Sequence, residues 1–279
     1  MATPPTENKT PLVLVPVAFV GERVLSLLDH VGSILLLLVE AGRWLARGVF
    51  GRRVRIGRQA IVSQIVRVGV RSIGIVSVVS GAVGFILAFQ LAPPLEEFGR
   101  KDLVANIIAV AVLRELGPLI GAIVLTGFAG ASIAAEIGTM VVSEEVEALE
   151  AHALNPVRFL VVPRVLAALV SMTALAVISD VVAVAAALLV GVTVLDIPYA
   201  TFVQNMLDQA KLVDFLTGVG KATLFGMLIG VIACGNGLRV TGGAAGVGRA
   251  TTGTVVQCVV AIIIADLVFT AIFYALKLV

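Results

Sequence analysis

Residues 127–164 read GFAGASIAAEIGTMVVSEEVEALEAHALNPVRFLVVPR, and this stretch decides how the rest of the chain is interpreted. Small residues are followed by a short acidic segment, then by Asn155-Pro156 and two arginines, whereas long apolar blocks lie on both sides. Such a segment between two apolar blocks is typical of a membrane protein that presents a connection to the cytoplasm.

The composition of the whole chain requires lipid as its solvent. The 279 residues are 59% hydrophobic and 14% charged, and the mean hydropathy is +1.09. A soluble protein this apolar could not cover its surface with polar groups, so we expect an all-α integral membrane protein. Two cysteines in apolar surroundings and two isolated histidines form no metal-binding pattern, and no cofactor is expected.

Five apolar blocks are long enough to cross a bilayer, which takes about 20 helical residues. They predict transmembrane helices at about 72–92, 103–127, 165–195, 213–235 and 251–276. One tilted helix is the simplest interpretation of the third block, and two half-helices in a hairpin are the alternative. We predict that Pro93-Pro94 stops the first span, that 196–212 holds a short helix on the far side, and that 236–249 is a loop.

The region before these spans differs in character. Residues 1–11 are polar and are predicted to be a disordered cytoplasmic tail. Residues 12–58 predict an interfacial amphipathic helix and a basic anchor, because the uncharged run 31–39 is too short to span and Trp44 suits the interface. An ordinary first span is the alternative. Residues 59–279 are interpreted as one membrane domain with a short helix between the second and third spans.

The distribution of positive charge predicts the orientation. Fourteen of the 20 lysines and arginines lie before residue 72 or flank the acidic segment and the 236–249 loop. Only four, Arg100, Lys101, Lys211 and Lys277, fall on the opposite side. Because cytoplasmic loops carry the excess of lysine and arginine, we predict a cytoplasmic N-terminus and a C-terminus on the other side.

The acidic segment 143–152 could form a helix of about three turns with an acidic, partly apolar surface. Its glutamates include Glu144, Glu145 and Glu147, and they alternate with apolar residues that include Leu149. Ser143 suits the start of this helix, since acidic residues favour a helix N-terminus. A solvated loop helix and a docking surface for a partner are both open interpretations.

Ionisable residues also interrupt the predicted spans. Arg114 and Glu115 lie in the second span, Lys221 in the fourth and Asp266 in the fifth. Isolated charges at this depth are costly, so we expect Arg114 or Lys221 to pair with Glu115 or Asp266. Asp180 in the third span is expected to face the bundle interior. These residues form either a structural ion network or the polar floor of a substrate cavity. A proton relay through them is a further open interpretation.

The sequence carries no motif for nucleotide binding or catalysis. The glycine-rich stretch GNGLRVTGGAAGVGRATT has no GK[ST] and does not fit GxGxxG. The protein is therefore not expected to be an enzyme. Active transport by this chain would draw its energy from another polypeptide or from an ion gradient.

Several motifs resemble one known family. VLRELGPLIGAIVLTGFAGASIAAEIGTMVVSEEVEAL is followed by LNPVRFLVVPRVLA, and the C-terminal part contains GAAGVGRATTGTVVQ and ADLVFTAIFY. In this order they resemble the MlaE/YrbE permeases, the membrane subunits of Mla and Mce lipid-transport ABC systems. The resemblance runs from about residue 60 to the end.

The resemblance implies a lipid permease of the bacterial inner membrane. It implies a homodimer, two cytoplasmic ABC ATPase subunits and a periplasmic hexamer of MCE-domain proteins. The acidic segment would be the coupling helix that contacts the ATPase, through Glu144, Glu145, Glu147 and Leu149. Leu87 and Leu116 would contact lipid in a cavity between the protomers.

The sequence departs from the family pattern at two places. Phe128 stands where arginine is common, and His152-Ala153 replaces a Met-Gly or similar pair. Without that arginine, Glu136 is expected to meet another cytoplasmic-side arginine or to face water. An ion-coupled secondary transporter and a non-transporting scaffold for an MCE protein are the alternative functions.

Overall fold

The computed structural model describes residues 15–50 and 57–276, which form helices and no strand. The predicted tail at 1–11 and part of the basic anchor lie outside the described residues. The α-helices are α1 Val15–Phe50, α2 Arg58–Val68, α3 Ile73–Glu97, α4 Val104–Ala111, α5 Gly117–Leu125, α6 Ala131–Val142, α7 Glu145–Ala151, α8 Val162–Thr193, α9 Tyr199–Gln209, α10 Leu212–Leu238 and α11 Gly243–Ala275.

Short segments of 3-10 and π-helix join several of these helices into longer rods. The 3-10 segments are Val70–Ser72 and Lys101–Leu103, and the π-helical segments are Val112–Leu116, Thr126–Gly130 and Val157–Val161. Six rods are long and apolar enough to cross a membrane: Gly21–Arg47, Arg58–Glu97, Lys101–Val142, Val157–Thr193, Leu212–Leu238 and Gly243–Ala275. The predicted class, an all-α integral membrane protein, is confirmed.

Three local predictions are settled by the described helices. The hairpin alternative for 165–195 is wrong, because Val157–Thr193 is one continuous rod. Pro93-Pro94 does not stop α3, which continues to Glu97. Only the last turn follows these prolines, so few backbone hydrogen bonds are lost. The predicted loop 236–249 is mostly helical as well, since α10 ends at Leu238 and α11 begins at Gly243.

Small residues allow the central helices to approach closely. About half of the residues of α8 are buried, and this helix packs against both α3 and α10. At Gly84 in α3 an added Cβ would overlap the carbonyl oxygen of Ala183, and at Gly226 in α10 it would lie 2.6 Å from the carbonyl oxygen of Ala168. Such backbone contacts are the usual basis of helix association in lipid.

The first helix packs against one end of this bundle. Ile34 and Leu37 lie against Gly235 near the end of α10, and the Trp44 ring lies 5.8 Å from the Arg158 guanidinium at the start of the rod Val157–Thr193. We call this the arginine-rich end. By length and composition α1 could also cross the membrane, so its interfacial position stays a prediction.

Candidate functional site

Lys221 is the centre of a charged cluster inside the bundle. Its ammonium group donates to both oxygens of Glu115 at 2.7 Å and to the Thr270 hydroxyl at 2.9 Å, and it lies 3.0 Å from Asp266 Oδ1. The lysine side chain is 1% exposed. A buried ammonium needs such compensation, and the two acids together place one surplus negative charge at this site.

A glycine allows two of the rods that build this cluster to approach closely. Gly218 lies one turn before Lys221, and an added Cβ there would overlap the carbonyl oxygen of Leu113. α10 therefore approaches the π-helical segment Val112–Leu116, which carries Glu115. Pro118 follows this segment and lacks a backbone N–H, so the local hydrogen-bond pattern is already interrupted there.

Arg114 has a different partner from the ones predicted. Its Nε donates to Asp214 Oδ1 at 2.5 Å, and Asp214 is 1% exposed. The same carboxylate accepts the Lys211 backbone N–H at 3.0 Å, as an acidic residue does near a helix start. The predicted pairing of Arg114 with Asp266 is wrong, because Lys221 contacts both Glu115 and Asp266.

A cavity of about 230 Å³ opens beside these charges. Its lining residues are Val110, Ala111, Arg114, Glu115, Thr217, Lys221, Thr270 and Phe273. Leu87 and Leu116 do not line it. Both are half-buried, and Leu87 packs against an apolar cluster that includes Ala88 and Ile108. Charged residues therefore border the cavity, and neither of the predicted lipid contacts lines it.

A second charged cluster lies at the arginine-rich end. Glu136 forms ion pairs with Arg67 at 2.6 Å and with Arg164 at 3.0 Å. Arg164 is buried and also donates to the Leu160 carbonyl oxygen at 2.9 Å. Of the two predicted environments for Glu136, the structure shows pairing with arginine. Asp180 is buried as predicted and lies against Gly117.

The acidic segment forms the short helix α7 directly after α6. Glu144 adopts a left-handed conformation with φ of 60°, which turns the chain between the two helices. The helix begins at Glu145 with Glu144 as its N-cap, one residue after the predicted start at Ser143, and the Ser143 hydroxyl donates to Glu145 Oε1 at 3.0 Å. Glu144, Glu145 and Glu147 are exposed, whereas Leu149 is half-buried. The result is an acidic surface at the arginine-rich end.

These rods and buried charges define a multi-pass integral membrane protein with a polar site inside its bundle. Residues 61–272 match the sequence profile of the family described as permease MlaE. The chain belongs to the MlaE permease family. Family membership makes it a permease subunit of an ABC transporter, a class that works with ATPase partners and as dimers.

Named relatives agree with this assignment. A protein of Rickettsia prowazekii named "Probable ABC transporter permease protein" is 36% identical over 214 residues, which cover 77% of this chain and 83% of that protein. A Rickettsia felis protein with the same description is 33% identical over 255 residues, 91% of this chain and 96% of that protein. Protein TRIGALACTOSYLDIACYLGLYCEROL 1 of Arabidopsis thaliana is 33% identical over 217 residues, 76% of this chain and 61% of that protein.

Proposed function

We propose that this permease moves phospholipids or related amphiphiles between the bacterial inner membrane and a periplasmic complex of MCE-domain proteins. A separate cytoplasmic ATPase drives the movement, and the functional unit is a homodimer with two ATPase subunits. The N-terminus and α7 are cytoplasmic and the C-terminus is periplasmic, in agreement with the excess of arginine at the end that carries α7.

One observation carries the coupling step of this proposal. The exposed acidic helix α7 follows directly on the rod Lys101–Val142, which also carries Glu115. Glu115 lies 27 residues before the end of this rod at Val142, which is about 40 Å of helix. A partner that moves α7 would therefore move a continuous rod that reaches the Lys221 cluster. Glu144, Glu145, Glu147 and Leu149 are the proposed contacts with the ATPase.

Two observations support an amphiphilic cargo. The name of the Arabidopsis relative contains trigalactosyldiacylglycerol, a lipid. The cavity beside Lys221 combines charged groups with the apolar side chains of Val110 and Phe273, which suits a molecule with polar and apolar parts. Leu87 and Leu116 remain the proposed lipid contacts of the dimer, at the interface between protomers.

Charge reversal on α7 tests the proposal. The variant Glu144→Lys/Glu145→Lys/Glu147→Lys should insert normally, lose the co-purifying ATPase and lose ATP-driven lipid transfer in proteoliposomes. Glu97→Lys, at the opposite end of the bundle, is the matched control and should retain both. Normal ATPase binding and transfer in the triple variant would contradict the coupling role.

An ion-coupled alternative draws on the two acids beside Lys221. It predicts transport by the chain alone when a pH gradient is imposed across the proteoliposome. We expect no transport by the chain alone under a pH gradient, because permeases of this class work with an ATPase. Transport driven by the gradient without ATPase would favour the alternative.

A further inference from the structure

A polar groove lies between α2 and the rod Lys101–Val142 at the arginine-rich end. One cavity of about 190 Å³ contacts both elements, and an adjoining cavity of about 210 Å³ shares Gln64, Arg67 and Arg71 with it. We call this pair of cavities the α2 groove. Its polar and aromatic lining residues are Ser63, Gln64, Arg67, Arg71, Phe128, Ser132 and Glu136.

The groove carries a surplus of positive charge. Arg67 is paired with Glu136, and the same glutamate is paired with the buried Arg164. Arg71 forms no ion pair with any carboxylate in the described part of the chain, although it lines both cavities. The groove is therefore lined by two arginines and one acid, and the exposed guanidinium of Arg71 is available to an anion.

The groove also holds a hydrogen-bond acceptor without a donor. Gln64 Oε1 is buried and has no partner among the described residues. A buried acceptor that stays unpaired is costly, so a ligand that brings a donor to this position would be favoured over one that brings none. The groove therefore offers a guanidinium to an anion and an amide oxygen to an N–H or O–H group.

The groove lies at the depth of lipid headgroups. Arg71 is 26 residues from Glu97 and Phe128 is 27 residues from Lys101, so each lies about 40 Å along its rod from the opposite end. The hydrocarbon core is about 30 Å thick. Both residues therefore reach the level at which acyl chains meet phosphates, and the half-exposed Phe128 ring forms an apolar wall.

We propose that the α2 groove binds the headgroup of a phospholipid whose phosphate pairs with Arg71 and whose amine or hydroxyl donates to Gln64. Phe128 contacts the glycerol backbone and the first acyl carbons. This inference rests on the proposed lipid transport, and it specifies the substrate class as phospholipids with a donor in the headgroup. Phosphatidylethanolamine and phosphatidylglycerol belong to this class, and phosphatidylcholine does not.

Lipid titration of the full-length chain in detergent, followed by native mass spectrometry, tests the role of Arg71. Arg71→Leu should weaken phosphatidylglycerol binding by about tenfold, the usual effect of losing a charge-assisted hydrogen bond. Arg71→Lys should restore most of it. Arg58→Leu is the matched control, because Arg58 is exposed on the same rod outside the groove. Equal affinities of wild type and Arg71→Leu would overturn the site.

The donor preference gives a second readout that a loss of folding would not produce. Wild type should bind phosphatidylethanolamine severalfold more tightly than phosphatidylcholine, whose ammonium has no N–H, and Gln64→Leu should remove this difference. Inorganic phosphate in excess should leave the lipid bound; displacement by phosphate would show a site for the soluble anion and overturn the lipid assignment. Wild type that binds no phospholipid contradicts the proposed function itself, whereas binding insensitive to Arg71 and Gln64 contradicts only this groove.

Discussion

The two charged clusters have the same arrangement, one central charge between two of the other sign, but the signs are reversed. In one, the base Lys221 stands between the acids Glu115 and Asp266. In the other, the acid Glu136 stands between the bases Arg67 and Arg164. Each cluster joins the rod Lys101–Val142 to two other rods, and each leaves one surplus charge, negative in the first and positive in the second.

The burial of the central residue separates the two clusters. The Lys221 side chain is 1% exposed, whereas the Glu136 side chain is 29% exposed. Water has little access to the Lys221 ammonium, although it reaches Glu115, whereas it reaches both Glu136 and Arg67 in the other cluster. The Lys221 cluster is therefore expected to stabilise the bundle more than the Glu136 cluster does. Ligands can reach the residues around Glu136.

The largest effect is expected from Lys221→Met. This change leaves Glu115 and Asp266 without their common base. Their side chains are 36% and 18% exposed, so we expect a loss at the lower end of the about 3–5 kcal/mol that follows the breaking of a buried pair. Unfolding by sodium dodecyl sulfate in mixed micelles, followed by circular dichroism, measures the loss. The control Lys101→Met breaks the exposed pair with Glu96 and should change stability little.

A compensated variant makes this first prediction sharper. Lys221→Met/Glu115→Gln/Asp266→Asn removes all three charges and should recover much of the lost stability. A triple variant as unstable as Lys221→Met would show that packing of the lysine, and not charge compensation, stabilises this site.

An intermediate effect is expected from Glu136→Gln. Arg164 is buried and loses its carboxylate, but it keeps the Leu160 carbonyl oxygen, while Arg67 turns to water. The expected destabilisation is about 2 kcal/mol, the value for a hydrogen bond to a charged group. The same unfolding assay measures it, and a loss equal to that of Lys221→Met would remove the difference between the clusters.

The smallest effect is expected from Arg67→Met. The arginine side chain is 48% exposed, and pairs with this exposure contribute less than about 1 kcal/mol. Arg164→Met is the matched comparison, because it removes the buried base from the same glutamate and should destabilise more. Equal losses in the two unfolding midpoints would mean that the exposed pair is as important as the buried one.

The sequence predicted which residues are charged inside the membrane, but only part of their pairing. Lys221, Glu115 and Asp266 follow from the cost of isolated charges in apolar runs. Asp214 was missed because it lies at the very start of α10 and was not counted among the buried charges. Its place at the beginning of the predicted span 213–235 is the available signal, since acidic residues are favoured in the first turn of a helix.

The helix boundaries show a similar limit. The third span was predicted as one helix because its apolar run is unbroken, and the structure agrees. At 236–249 the many glycines predicted a loop, yet most of these residues are helical. Tertiary contacts decide such cases: at Gly237 an added Cβ would lie 2.8 Å from Ile137 Cβ, so glycine is needed there for the close packing of α10 against α6.

The π-helical segment Thr126–Gly130 determines the helical phase of the rod that joins the two clusters. Glu115 and Glu136 are 21 residues apart, so an uninterrupted α-helix would aim them within about 60° of each other. The extra residue of a π turn increases the angle between these two directions by about 100°. The two glutamates then point to nearly opposite sides of the rod, about 160° apart. A one-residue insertion thus lets a single helix face the lysine cluster with one side and the two arginines with the other.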